Sequence, residues 1–163
     1  MQTEFELLSN IDLEVYCKML KIPLIDILNK NLFNNIKPKL GAYIINLQDA
    51  GDGGGTHWTA LLITNTYAIY YDSFGGHIPK DILKFIRRYN KLIKIIYSID
   101  QIQSLSSVFC GYYCLYFLYF FSVLHKKCTN YRYLLNKHNS IFSLNNRHLN
   151  NMILRKLIKG IVK

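Results

Sequence analysis

Proline and cysteine are scarce in this 163-residue chain, at three and four residues, and there is a single tryptophan. Three prolines and nine glycines exclude collagen-like or linker-like sequence, and four cysteines are too few for a disulfide scaffold. No apolar run reaches the roughly 20 residues that cross a bilayer. The longest, CGYYCLYFLYFFSVL over residues 110–124, reads as a buried core helix. The N-terminus, MQTEFELLSNIDLE, lacks a basic stretch followed by an apolar one, so no secretory signal is expected. An intracellular, reducing setting with free thiols is the expectation that follows. No repeat or low-complexity linker divides the chain, so one domain over residues 1–163 is expected. A 50% hydrophobic and 14% aromatic composition excludes general disorder.

Acidic residues are missing altogether after position 100. Residues 1–50 carry five Lys and six acids, residues 51–100 six Lys or Arg and four acids, and residues 101–163 nine Lys or Arg and none, for a net charge of +10. A field of one sign over the last third favours a polyanion such as nucleic acid or anionic lipid, against the plainer reading of a solvated basic surface.

Ser9 caps a predicted helix over residues 11–20, with Ile11, Val15, Met19 and Leu20 as its apolar positions. Pro23 ends it, and residues 25–28 read as a short helical turn. Strands follow at 42–47, 58–64 and 67–71, the last two joined by a tight turn at Asn65-Thr66. DAGDGGG, residues 49–55, is a loop, because four glycines there are costly in a regular element. Pro79 opens a helix to about Tyr89, with Ile82, Phe85 and Ile86 on one face. Residues 92–99 read as a strand and 110–124 as the long helix. A basic amphipathic helix over 146–158 turns Leu149, Met152, Ile153 and Leu157 inward, with Gly160 as its stop. The order helix, three strands, helix, strand, two helices predicts an α+β fold, a mixed sheet packed by helices.

The Gly-rich loop is not a phosphate loop. Gly55 is followed by Thr56-His57-Trp58 and a strand, where a P-loop needs Gly-Lys-Ser/Thr opening a helix. His57 starts one strand of the predicted hairpin and Asp72 ends the other, so the two fall side by side at its open end. There a carboxylate can fix an imidazole's tautomer and orientation. Cys110 lies at the start of the long helix, whose positive end favours a thiolate, as a neighbouring imidazolium does more strongly. Taken singly, Cys110 is also readable as a small core residue, the reading that fits Cys17, Cys114 and Cys128. Zinc on Cys110, Cys114, His125 and Cys128 is a poor match, since Cys-x3-Cys inside an apolar helix lacks the usual ligand spacing. Gln103 or Gln101 can supply a side-chain amide to an oxyanion hole completed by the Cys110 N–H, and the residues alone do not choose between them.

Gly-Thr-His57-Trp58, Tyr-Tyr-Asp72-Ser-Phe-Gly and Gln103-(six residues)-Cys110-Gly-Tyr-Tyr-Cys-Leu, in that order, resemble the adenain-like cysteine proteases. These are the adenovirus maturation protease and its relatives in large DNA viruses, virophages and Polinton-type elements, with SUMO-specific proteases more distant. The resemblance spans about residues 41–118. It implies a single-domain cysteine-protease fold with the nucleophile at the N-terminus of a buried helix. It further implies Cys110 as nucleophile, His57 as general base, Asp72 as its orienting carboxylate, and Gln103, seven residues before the cysteine, as oxyanion donor. SUMO-specific proteases usually carry Asp before the nucleophile, where this chain has Phe109, and place the Gln one residue closer; adenain has Glu where Asp72 stands.

The activity implied is cleavage of viral capsid or core precursors at Gly-rich sites during virion maturation. That would take place in the virion interior or in the host cytoplasm or nucleus, without a membrane. No cofactor is required, stimulation by DNA or a viral peptide is left open, and double-stranded DNA is the expected partner of the basic residues 126–163. The alternatives are a protease for ubiquitin-like modifiers and a non-enzymatic basic DNA-binding protein on the same scaffold.

Overall fold

The computed structural model describes residues 5–52 and 57–162. Ser9 opens helix α1 (Asn10–Met19) through a capping box: its hydroxyl accepts from the Asp12 N–H, and the Asp12 carboxylate accepts from the Ser9 N–H. Five strands follow, β1 (Leu24–Asn29), β2 (Gly41–Asn46), β3 (Trp58–Ile63), β4 (Tyr67–Tyr71) and β5 (Lys94–Tyr97), with a 3-10 turn at Lys30–Asn35. They form one sheet in sequence order. β1 is parallel to β2, β2–β3–β4 is an antiparallel meander, and β5 is parallel to β4. The crossover between β4 and β5 is helix α2 (Lys80–Tyr89), for which Pro79 is the N-cap.

Strand alternation builds two cores. Ala42, Ile44, Ala60, Leu62, Ile69 and Tyr71 face helices α3 (Cys110–Tyr119), α4 (Tyr131–Asn139) and α5 (Arg147–Ile161) together with α1. Tyr43, Ile45, Leu61, Ile63, Ala68 and Tyr70 face Phe33 of the 3-10 turn and Ile82, Phe85 and Ile86 of α2. Helix α3 packs on the central strand β3 and continues into a π-helical turn, Phe120–Leu124, which agrees with a buried helix over 110–124.

The structure thus bears out the α+β class, the mixed sheet and the helix packing, and corrects several local readings. Residues 25–28 belong to strand β1, because parallel pairing with β2 overrides a weak helical pattern. On α1 the buried side chains are Leu13 and Cys17, while Ile11, Val15 and Met19 are exposed by 73%, 53% and 54%. The helix carries two apolar stripes, and periodicity does not choose between them. On α5, Asn150 turns inward with Leu154 and Ile158 while Leu149 and Met152 stay out. Asn150 is tolerated there because its amide donates to the Ile102 and Ser143 carbonyls and accepts from the Ser143 N–H. Gly160 sits within α5 instead of stopping it, the strand at 92–99 is limited to β5, and α4 was not foreseen.

Candidate active site

The β3–β4 hairpin brings His57 and Asp72 together. Ala60 pairs with Tyr71, so the residues just outside the two strands meet at the open end. His57 Nε2 donates to Asp72 Oδ1 at 2.7 Å, and the Phe74 N–H donates to the same oxygen at 2.8 Å. Phe74 also stacks on the imidazole, with ring centroids 4.2 Å apart and planes 16° from parallel. The ring is therefore fixed along its edge by a charge-assisted bond and across its face by an aromatic.

With Nε2 committed to Asp72, Nδ1 is the nitrogen left to exchange a proton. It is buried and has no hydrogen-bond partner. Cys110, the first residue of α3, interacts with the ring as well. Burial works against protonating His57, but the Asp72 hydrogen bond, then Cys110, then the negative charges of both outweigh it and push its pKa up to about 9. At neutral pH the ring is therefore an imidazolium, set beside the first residue of α3. Phe109, the N-cap of α3, offers no side-chain cap, so the first-turn N–H groups of that helix remain available to a developing oxyanion.

Gln103 is fully buried and wired to the same turn. Its backbone N–H and that of Ile102 both donate to the Ser73 carbonyl at 2.9 Å. The Ser73 hydroxyl donates to Gln103 Oε1 at 2.6 Å, and Gln103 Nε2 donates to the Ser107 carbonyl at 2.7 Å. Gln101 is placed differently: it is half-buried and its amide donates to the Gln103 carbonyl at 3.1 Å. Of the two glutamines, Gln103 is the one held in the loop between Asp72 and Cys110. The segment before Cys110 is braced from α5, where Asn151 Oδ1 accepts from Ser107 and Tyr113 hydroxyls at 3.2 and 3.0 Å.

All four residues singled out in the sequence thus gather where β3, β4 and α3 meet, each at most 9% exposed. Sequence reasoning missed Phe74, Ser73 and Asn151. It also missed the N-terminal segment, whose Leu8 carbonyl accepts from Trp58 Nε1 at 3.0 Å and whose Phe5 packs on Phe109 and Tyr112. Only Ser73 and Phe74 left a trace, lying inside the Asp72-Ser-Phe-Gly string. Gly75 and Gly76 follow for steric reasons. Gly75 has φ +74° and lies against the Ile99 carbonyl, and a Cβ on Gly76 would run into Asp72 Oδ2. The Gly-rich loop contributes residues 49–52 to the description, and residues 53–56 lie outside it. No cluster of metal-ligating side chains occurs among the described residues, nor any helix long and apolar enough to cross a membrane.

No family model and no curated protein sequence matches the chain. Among solved structures it is similar to the ASFV pS273R protease. The selenomethionine crystal structure superposes with a TM-score of 0.52 at 14% identity, over 71% of this chain and 58% of that one. A second crystal structure of that protease gives 0.41 at 16% identity, over 57% and 47%. The first likeness shows a shared fold with a protease, and the chain spans less than two thirds of that protease's length.

Proposed function

We propose that this chain is a cysteine endopeptidase of the adenain-like kind, acting on viral capsid or core precursors at Gly-rich sites. The observation that carries the reading is His57 held by Asp72 through Nε2 with Nδ1 left free, next to a cysteine at a helix N-terminus, on a fold shared with a solved protease. The Cys110 thiolate adds to the scissile carbonyl carbon, and the electron pair of the C=O bond moves onto oxygen. The Cys110 N–H and the second N–H of the Gln103 amide are the donors for that oxyanion. Collapse breaks the C–N bond as the His57 Nδ1–H protonates the leaving amine. Water then gives a proton to Nδ1 and attacks the thioester, releasing the acid and restoring the thiolate–imidazolium pair. No metal or cofactor takes part in this scheme, and its setting is the virion or the infected cell.

The test is cleavage of a peptide library containing Gly-Gly and Gly-x-Gly sites by wild type and by Cys110→Ala, alongside a panel of ubiquitin-like modifier fusions. Cleavage of the Gly-rich peptides by wild type alone is the expected result. Cleavage confined to the modifier fusions would assign the enzyme to modifier processing. Equal activity in Cys110→Ala, or none in wild type on either panel, would overturn the protease reading.

A further inference from the structure

The chain ahead of α1 lies across the catalytic end of the molecule. Residues 5–8 form no regular element, yet Leu8 is buried and Phe5 half-buried, while Glu6 and Leu7 stay exposed. The Leu8 carbonyl accepts from Trp58 Nε1 at 3.0 Å. Trp58 is the first residue of β3 and follows His57. A buried indole N–H requires an acceptor, and an acceptor fixed in place holds the orientation of the ring. The Leu8 side chain meets the first turn of α3. A Cβ on Gly111 would come within 3.2 Å of Leu8 Cβ and Cδ1, so glycine after Cys110 leaves the seat that Leu8 occupies.

Phe5 reaches the same turn of α3. Its ring centroid lies 5.7 Å from that of Phe109 and 4.5 Å from that of Tyr112. From α5, the Arg155 guanidinium lies over both Phe5 and Phe109, 5.4 and 4.9 Å from their centroids. The segment is thus held at two points. One is the residue that follows His57, and the other is the pair of residues that flank Cys110. β3 and α3 are distant in sequence and meet through apolar packing, which is non-directional. Proton exchange between a histidine and a cysteine requires hydrogen-bond distance. The segment adds directional contacts between β3 and α3 at the end where that distance is set.

We propose that Phe5–Leu8, clamped by Arg155, is a positioning element that sets the spacing of His57 and Cys110 by bridging β3 to α3. The inference rests on the reading of His57 and Cys110 as a working pair. Phe5, Leu8 and Arg155 act through Trp58, Phe109 and Gly111 and are not catalytic residues. A segment that only filled the core would govern stability. One that sets a spacing governs rate in molecules that are fully folded.

The experiment compares the full chain with its variants in melting temperature, in kcat and KM on a Gly-Gly-containing peptide, and in alkylation of Cys110 by iodoacetamide at pH 6. Alkylation is followed by mass spectrometry of the Cys110 peptide. At pH 6 an activated cysteine reacts, whereas an ordinary thiol of pKa about 8.5 is nearly silent. Rates are taken well below the melting temperature of every variant. Phe5→Ala is expected to lower kcat about tenfold or more, with KM within about threefold, and to slow alkylation by a similar factor. Leu7→Ala, an exposed neighbour in the same segment, is expected to stay within about twofold of wild type. Arg155→Gln removes the clamp from a surface position and is expected to lower both rates about threefold. It carries the test if Phe5→Ala does not fold. Lowered melting with both rates unchanged would overturn the proposal and leave the segment purely structural, and so would equal losses in Leu7→Ala and Phe5→Ala. Wild-type alkylation that falls in Phe5→Ala, with no cleavage by either protein, would uphold the positioning and overturn the protease reading instead. A wild-type Cys110 no more reactive at pH 6 than Cys128 would overturn both.

Discussion

The Ser73 hydroxyl donates to Gln103 Oε1 at 2.6 Å, and that bond decides which way the Gln103 amide faces. A side-chain amide can present its oxygen or its NH2 group to a given neighbour. With Oε1 occupied by a buried hydroxyl and one N–H given to the Ser107 carbonyl, the second N–H is the one that the proposed mechanism uses as an oxyanion donor. Ser73→Ala removes the constraint without touching His57, Asp72 or Cys110. We expect kcat to fall about tenfold or more with KM little changed, as for a weakened oxyanion donor. If Ser73 acts only through Gln103, Ser73→Ala adds little to Gln103→Ala in a double-mutant cycle. Additive losses would rule out that route.

In the proposed mechanism His57 sets the alkaline limit of activity. Its pKa of about 9 lies above the ordinary 6.5, because the Asp72 and Cys110 interactions outweigh burial. The imidazolium persists at neutral pH, and kcat/KM should fall as pH rises through about 9, where the proton needed by the leaving amine is lost. The same shift stabilises the fold. That contribution is complete below 6.5, the unfolded value, and is lost as pH rises toward 9. Asp72→Asn removes the first of the groups that raise the pKa, so both the activity limb and the stability loss should move to lower pH. An alkaline limb unchanged in Asp72→Asn would detach it from His57.

Gly76 tests how closely Asp72 is confined. A Cβ at this position would collide with Asp72 Oδ2, while Oδ1 is already held by the His57 ring and the Phe74 N–H. The carboxylate has no free direction in which to yield. Gly76→Ala should therefore lower kcat/KM about as much as Asp72→Ala does, with a smaller loss of stability, measured by steady-state kinetics and by melting in parallel. Activity equal to wild type would show that the turn relaxes.

What was legible in the sequence follows from what is local. The Ser9 cap, the apolar runs of β2, β3 and β4, the hairpin turn at Asn65-Thr66 and the Pro79 helix start depend on neighbours within a few residues, and each formed as read, with Pro79 as the N-cap just outside its helix. His57 and Asp72 were placed correctly because a hairpin with a short turn fixes its own register. Choices made by distant partners were not legible. β1 exists because β2 pairs with it, α1 turns its Leu13 stripe inward because α3 is there, and Asn150 is buried because Ile102 and Ser143 satisfy it. Phe74 was in the string that carried Asp72, yet nothing local says that its ring lies on the imidazole.

The interior holds a second histidine, and it predicts acid lability. His138 is fully buried among Tyr71, Tyr116, Phe117, Phe120, Phe121 and Phe142. Its Nδ1 donates to Asn139 Oδ1 at 2.9 Å, and the Asn139 amide donates in turn to Ser98 Oγ and Asp100 Oδ2. Nε2 has no partner, so the neutral ring is the form that fits. Burial lowers the pKa to about 4 against the smaller opposing effect of the Asn139 bond. Between pH 6.5 and about 4 the unfolded chain therefore binds a proton that the folded chain refuses, and stability falls as pH falls. The shift corresponds to a loss on the order of 3 kcal/mol across that interval. His138→Phe keeps an aromatic in an aromatic cluster and removes the titration, at the cost of one hydrogen bond. Denaturant unfolding of both proteins at pH 7 and pH 5 should show wild type losing more stability on acidification than the variant, even if the variant starts lower. Equal losses in the two proteins would mean that His138 already takes up its proton in the folded state.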